Sequence, residues 1–259
     1  MTDRQEFRVV ALSGDEILGF CSHPEEARSN LVIVYLHGFG SAQEGEKAEF
    51  FRTGALEIGL GFCSFDFRGH GRSGGSIRDL TLSRCLADVG AVIGYLRAKG
   101  TRRFAILGSS MGGLIGLWYA ALHPQDIVGG VHIAPALGMA AGLESLLGEK
   151  GMRDWRRTGT AAVTNELGTF DLGWGLAEDL ALYPTERLIE LHSRPVMAFQ
   201  GKLDDRVDWR QVEAFAQATV PTTTLRLFRE GDHRLLGYRE AIWGEMAEFL
   251  AALAEGAGL

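Results

Sequence analysis

The sequence predicts an α/β protein, a mostly parallel sheet of about eight strands with helices on both faces. Three observations predict it. Leu31–Leu36, LVIVYL, is a near-continuous apolar run, the pattern of a strand covered on both faces. Short apolar runs then alternate with helical repeats along most of the 259 residues. Polar and glycine-rich turns follow several of those runs, at the strand ends where an open parallel sheet gathers its functional groups.

Composition narrows the class. A hydrophobic share of 46% and a charged share of 23% are ordinary for a globular domain. Net charge of −7 argues against a nucleic-acid partner, which needs a basic surface. No apolar run approaches the length of a membrane span, so no membrane partner is expected. The start, MTDRQEFRVV, lacks the basic and apolar regions of a secretory leader. Cys21, Cys63 and Cys85 are odd in number and widely spaced, and read as reduced core thiols of a cytoplasmic protein. With no linker-like segment, residues 1–259 read as a single domain.

Glu6–Ser13 and Glu16–Cys21 alternate around Gly14-Asp15 and read as an antiparallel hairpin. After Leu31–Leu36 comes His37-Gly38-Phe39-Gly40, then Ser41-Ala42-Gln43-Glu44, a capping-box spacing that predicts a helix to about Ile58. Gly61–Phe67 is the next strand. Thr81–Lys99 is the clearest helix, with Leu82, Leu86, Val89, Ile93 and Leu96 on one face and Gly100 closing it. Phe104–Leu107 leads into Gly108-Ser109-Ser110-Met111-Gly112 and a helix stopped at His123-Pro124, and Ile127–Ile133 is another strand. Residues 135–184 break the rhythm with short helical pieces and read as a small helical lid. Within it Arg153, Arg156 and Arg157 read as a solvated helix face. The alternation resumes with Glu186–His192, Pro195–Gln200, Trp209–Ala218 capped by Asp208 with Gln211, Thr222–Phe228 and a closing helix from Tyr238 to Leu253.

The order strand, G-x-S-x-G, helix is that of a nucleophile elbow, whose sharp turn presents the Ser110 hydroxyl at the sheet's carboxyl edge. A second match, Gly71-Arg72-Ser73-Gly74-Gly75, starts no apolar-periodic helix and reads as a turn. A serine hydroxyl needs a base within hydrogen-bond reach. Of seven histidines only His233 follows a strand end late in the chain. His23 and His123 read as surface residues, His37 and His70 as positioning residues in glycine-rich turns, His132 as a satisfied core histidine, and His192 as the end of a surface helix. Asp204 and Asp205 both qualify to orient the imidazole, with Asp204 preferred. The Met111 and Phe39 amides are the expected oxyanion donors. Phe39, Met111, Met139, Trp155 and Trp174 are candidates for the walls of an apolar acyl pocket, or equally for ordinary core packing. No metal-ligand spacing and no phosphate loop appears, so no metal and no cofactor is expected.

Together, His37-Gly38-Phe39-Gly40, Asp66-Phe67-Arg68-Gly69-His70-Gly71-Arg72-Ser73, Gly108-Ser109-Ser110-Met111-Gly112-Gly113, Gly201-Lys202-Leu203-Asp204 and Gly231-Asp232-His233 resemble an α/β-hydrolase from Glu6 to Leu253. The resemblance implies an acid three residues after the strand-ending glycine, which is Asp204. Gly201–Trp209 is similar to a small-lid branch of acyl esterases and depalmitoylating thioesterases, which commonly has Pro where Asp208 stands. The implied activity is hydrolysis of a small-molecule carboxylic ester or thioester through an acyl-enzyme. The same machinery also serves C–C bond hydrolases, peptidases and acyltransferases, and non-catalytic relatives usually lose a triad member.

Overall fold

In a computed structural model, which describes residues 4–27 and 29–256, an antiparallel hairpin opens the chain: β1 (Arg4–Val10) and β2 (Glu16–Ser22). Residues 1–3, part of the stretch read for a leader, lie outside the described residues. The hairpin joins β3 (Leu31–Leu36), β4 (Gly61–Phe65), β5 (Arg103–Ser109), β6 (Ile127–Ile133), β9 (Val196–Gly201) and β10 (Thr223–Phe228) in one eight-stranded sheet. Its order is β1-β2-β4-β3-β5-β6-β9-β10, and every pairing from β4 to β10 is parallel.

The apolar run of β3 explains its central place. Val32, Val34 and Leu36 face one core while Leu31, Ile33 and Tyr35 face the other. All six are buried, and each fully buried aliphatic side chain contributes about 1.5–3 kcal/mol. Helices α1 (Glu46–Glu57) and α8 (Arg239–Glu255) cover the second face through Phe51, Ile242, Met246 and Leu250. Helices α2 (Leu82–Ala98), α3 (Met111–Leu122), α6 (Thr185–Leu191) and α7 (Trp209–Ala218) cover the first. Cys21, Cys63 and Cys85 are free, buried thiols.

Residues between β6 and α6 add no strand to this sheet. They form α4 (Met139–Thr158), a two-stranded hairpin of β7 (Thr160–Asn165) and β8 (Gly168–Gly173), and α5 (Gly175–Leu180). The stretch is therefore not purely helical as the sequence reading had it. Helix α4 is kinked at Gly148, whose φ of 64° is left-handed. The hairpin packs on the turn Ile77–Asp79, where Arg78 pairs with Asp171.

Two local expectations are corrected. The Ser41…Glu44 capping box does not form, and α1 starts only after Gly45. Buried Asp66 holds the preceding loop instead, accepting hydrogen bonds from the backbone N–H of Gln43 (2.7 Å) and from its side-chain amide (2.9 Å). His132 is a core histidine, fully buried on β6, but among the described residues neither ring nitrogen has a hydrogen-bond partner, so it is not satisfied there. His192 does end the mostly exposed helix α6; it is itself partly buried, packs on Phe215, and its Nε2 lies 3.1 Å from Thr223 Oγ1.

Candidate active site

Ser110 sits between the end of β5 and the start of α3, with φ 53° and ψ −117°. Its own N–H donates to Ile133 O at 2.9 Å, and its carbonyl accepts from the N–H groups of Gly113, Leu114 and Ala136. The turn is thus pinned on both sides, and the hydroxyl faces outward with the α3 N-terminus beneath it.

The sheet brings two distant side chains to that hydroxyl. His233, in the loop after β10, places Nε2 at 3.0 Å from Ser110 Oγ. Its Nδ1 lies 2.8 Å from Oδ2 of Asp204, which follows β9. Asp204 also accepts from Gln200 Nε2 at 2.8 Å and from the N–H groups of Arg206 and Val207 at 2.8 and 2.9 Å. Burial alone would raise its carboxyl, yet the His233 and backbone hydrogen bonds outweigh it and hold the group below the ordinary carboxylate value. Asp205 points elsewhere: its side chain is 80% exposed and lies 3.5 Å from Arg206 Nε.

Among the described residues the Phe39 and Met111 amide hydrogens have no hydrogen-bond partner. Gly38 lets the Phe39 loop approach, since a Cβ there would lie 3.3 Å from Ser110 Cβ. His37 holds that loop: its Nδ1 donates to Gly38 O at 2.8 Å and its Nε2 accepts from Phe67 N–H at 3.1 Å, in the assigned tautomer. Burial brings its imidazole down to about 4, so it is neutral near pH 7. Ser73 is tied into its turn, donating to Asp66 O and accepting from Leu18 N–H.

Ser110, His233 and Asp204 open into a cavity of about 1070 Å³. Phe39, Met111 and Met139 line it, with Leu137, Leu143 and Val163 adding apolar wall. Trp155 and Trp174, expected there, do not line it. Trp155 is 1% exposed, donates Nε1–H to Leu172 O at 2.9 Å and meets Trp174 edge to face, so the pair fastens α4 to the hairpin. The cavity side of the hairpin is supplied instead by Val163, Asn165, Leu167 and Leu172. Phe170 packs on Phe39 with ring centroids 5.0 Å apart. Arg153 and Arg157 pair with Glu149 and Asp154 on the exposed face of α4, as read from sequence.

Lys47 was missed. It lies in the first turn of α1, donates to Ser109 Oγ at 3.0 Å and lines the cavity. Burial, and behind it the charge of Arg234, bring its ammonium down to about 8, while Asp232, Asp204 and Glu166 pull the other way. A lysine early in a surface helix carries no sequence signal of such a position.

The chain matches, over residues 27–167, the family described as serine aminopeptidase, S33. Palmitoyl-protein thioesterase ABHD10, mitochondrial, of Rattus norvegicus is 25% identical over 216 residues, which are 80% of this chain and 70% of that protein. A putative hydrolase from Agrobacterium vitis S4 superposes with a TM-score of 0.83 at 26% identity, covering 98% of this chain and 99% of its own. Est1E from Butyrivibrio proteoclasticus with ferulic acid bound gives a TM-score of 0.80 at 21% identity, over 94% of this chain and 99% of its own, and speaks for the fold alone. The eight-stranded sheet, the turn at Ser110 and these likenesses converge: the chain is a member of the α/β-hydrolase superfamily and belongs to its serine aminopeptidase S33 family.

Proposed function

We propose that this protein hydrolyses carboxylic esters or thioesters through an acyl-enzyme on Ser110, with His233 as base and acid and Asp204 as its orienter. The observation that carries the reading is the hydrogen-bonded chain from Ser110 Oγ through His233 to Asp204, opening into a cavity lined by both apolar and charged side chains, beside two amides unpartnered among the described residues.

Ser110 Oγ attacks the acyl carbon while its proton passes to His233 Nε2. The Phe39 and Met111 N–H groups donate to the oxyanion, and each such donor is worth about 3–4 kcal/mol in the transition state. The bond to the leaving oxygen or sulfur breaks, and the proton on Nε2 departs with the alcohol or thiol. Water then gives a proton to Nε2 as its oxygen bonds to the acyl carbon. The ester bond to Ser110 breaks, the proton returns to Oγ, and the carboxylic acid leaves. Asp204 keeps its negative charge throughout and steadies the imidazolium.

In this reading residues 135–184 act as the lid, and the acyl group lies under α4 and the β7–β8 hairpin, against Met139, Leu143 and Val163. The thioesterase activity named for the rat relative, an acyl chemistry, points the same way. A panel of p-nitrophenyl esters of graded chain length, with a matched thioester, tests the proposal. Turnover of at least one acyl substrate is expected. An aminoacyl anilide run beside them tests peptide cleavage, where the Lys47 ammonium repels a substrate amine and little turnover is expected. Anilide cleavage with no ester or thioester turnover would replace the reading.

A further inference from the structure

The cavity has two unlike walls. On one side α4 and the hairpin supply Met139, Leu143, Val163 and Leu172. On the other, Lys47 from α1 and Arg234, next to His233, stand at the cavity surface. Among the described residues neither cation makes an ion pair with a carboxylate. Each of the three carboxylates whose charge reaches Lys47 is engaged elsewhere. Asp204 is bonded to His233, Glu166 lies 3.6 Å from Arg206, and Asp232 accepts from Leu235 N–H at 2.7 Å.

An ammonium has three N–H donors, and the 3.0 Å bond to Ser109 Oγ uses one. The other two have no acceptor among the described residues. Placing a second cation, Arg234, close enough to depress the Lys47 ammonium adds repulsion to desolvation. The partly buried Lys47 ammonium, with two N–H donors unused at the cavity, gains acceptors and counter-charge when an anionic ligand group binds there, with the exposed Arg234 beside it.

We propose that Lys47 and Arg234 form an anion subsite on the leaving-group side of the cavity, selecting acyl substrates whose leaving group carries a carboxylate or a phosphate-type anion. The side is set by His233, which hands its proton to the leaving atom and is followed in the chain by Arg234, while Lys47 reaches the residue preceding Ser110. This rests on the acyl-hydrolase reading above, and because Glu46, Glu166, Asp205 and Asp208 also line the cavity, the subsite is local to Lys47 and Arg234.

Three butyrate esters of one shape test it: para-carbamoylphenyl, para-carboxyphenyl and para-phosphonophenyl. The wild-type protein is expected to favour an anionic ester over the carbamoyl ester by about tenfold or more in kcat/KM. Which anion is favoured distinguishes carboxylate from phosphate-type ligands. Lys47→Met and Arg234→Gln are each expected to bring that ratio close to unity, and Lys47→Arg to restore most of it. In parallel, the Kd values of the three intact esters are measured on Ser110→Ala and on Ser110→Ala/Lys47→Met by calorimetry. Tighter binding of an anionic ester, lost with Lys47, supports the subsite even if no ester is turned over and the hydrolase reading fails. Turnover of all three esters with ratios near unity, unmoved by Lys47→Met, overturns the subsite and leaves the hydrolase reading standing. Equal Kd values on Ser110→Ala for the carbamoylphenyl ester and for both the carboxyphenyl and the phosphonophenyl ester overturn it as well.

Discussion

Gly112 lies directly beneath the last residue of β3: a Cβ on Gly112 would stand 2.0 Å from Leu36 O. The central strand and the helix that begins at Met111 therefore touch backbone to backbone, and this contact brings the Phe39 loop to the Ser110 hydroxyl. Gly108 makes the matching approach, with its Cβ position 2.4 Å from Gly112 O. The two glycines flanking Ser110 belong to the fold as much as to the site.

Gly112→Ala tests that contact. Overpacking against a strand carbonyl cannot be relieved by a rotamer change, so a loss of about 3 kcal/mol is expected in denaturant unfolding. Wild-type stability in the variant would mean that α3 moves freely away from β3.

The two adjacent acids are expected to separate sharply. Asp204→Asn leaves the imidazole without its anionic partner, and about a ten-thousand-fold loss of kcat is expected. Asp205→Asn, altering an exposed carboxylate outside the hydrogen-bonded chain, is expected to stay within about one order of magnitude. Steady-state kinetics on one ester reads both, and the reverse order would reassign the orienting acid.

Stability is expected to fall on mild acidification, and His132 provides the test. Burial first, and the neighbouring His192 second, bring its imidazole down to about 3. Because the folded value lies below the unfolded 6.5, the unfolded chain takes up protons first, so stability is full above pH 6.5 and declines toward pH 3. One such histidine costs about 2 kcal/mol between pH 7 and pH 5. Burial moves His37, His70 and His192 in the same direction. His132→Leu is expected to narrow the stability difference between those two pH values by about that amount in paired urea titrations. An unchanged difference would show that His132 is already protonated in the fold.

Much of the fold was legible because its signals are local. LVIVYL marked β3 residue for residue, Gly100 does close α2 with a left-handed φ of 104°, and Asp208 does cap α7 by accepting from Arg210 N–H. The positions of Ser110, Asp204 and His233 were legible because each follows the end of a parallel strand, and strand ends share one edge. What stayed hidden depends on distant contacts. The Ser41–Glu44 spacing fits a capping box, but Asp66, 23 residues from Gln43, takes the loop amides instead. The β7–β8 hairpin is short and half exposed, so its strands carry little alternation. Two tryptophans in an insertion over a cavity suggested a wall, whereas the indole N–H of Trp155 needed an acceptor and found Leu172 O on the hairpin behind it.

The most direct measurement of the central claim is covalent labelling by a fluorophosphonate, read by intact mass and by mapping the modified peptide. The expected result is one adduct per chain, on Ser110, abolished in Ser110→Ala and retained in Ser109→Ala and Ser73→Ala. Full labelling of Ser110→Ala, or no adduct on a folded wild-type chain, would contradict the assignment of Ser110 as the nucleophile.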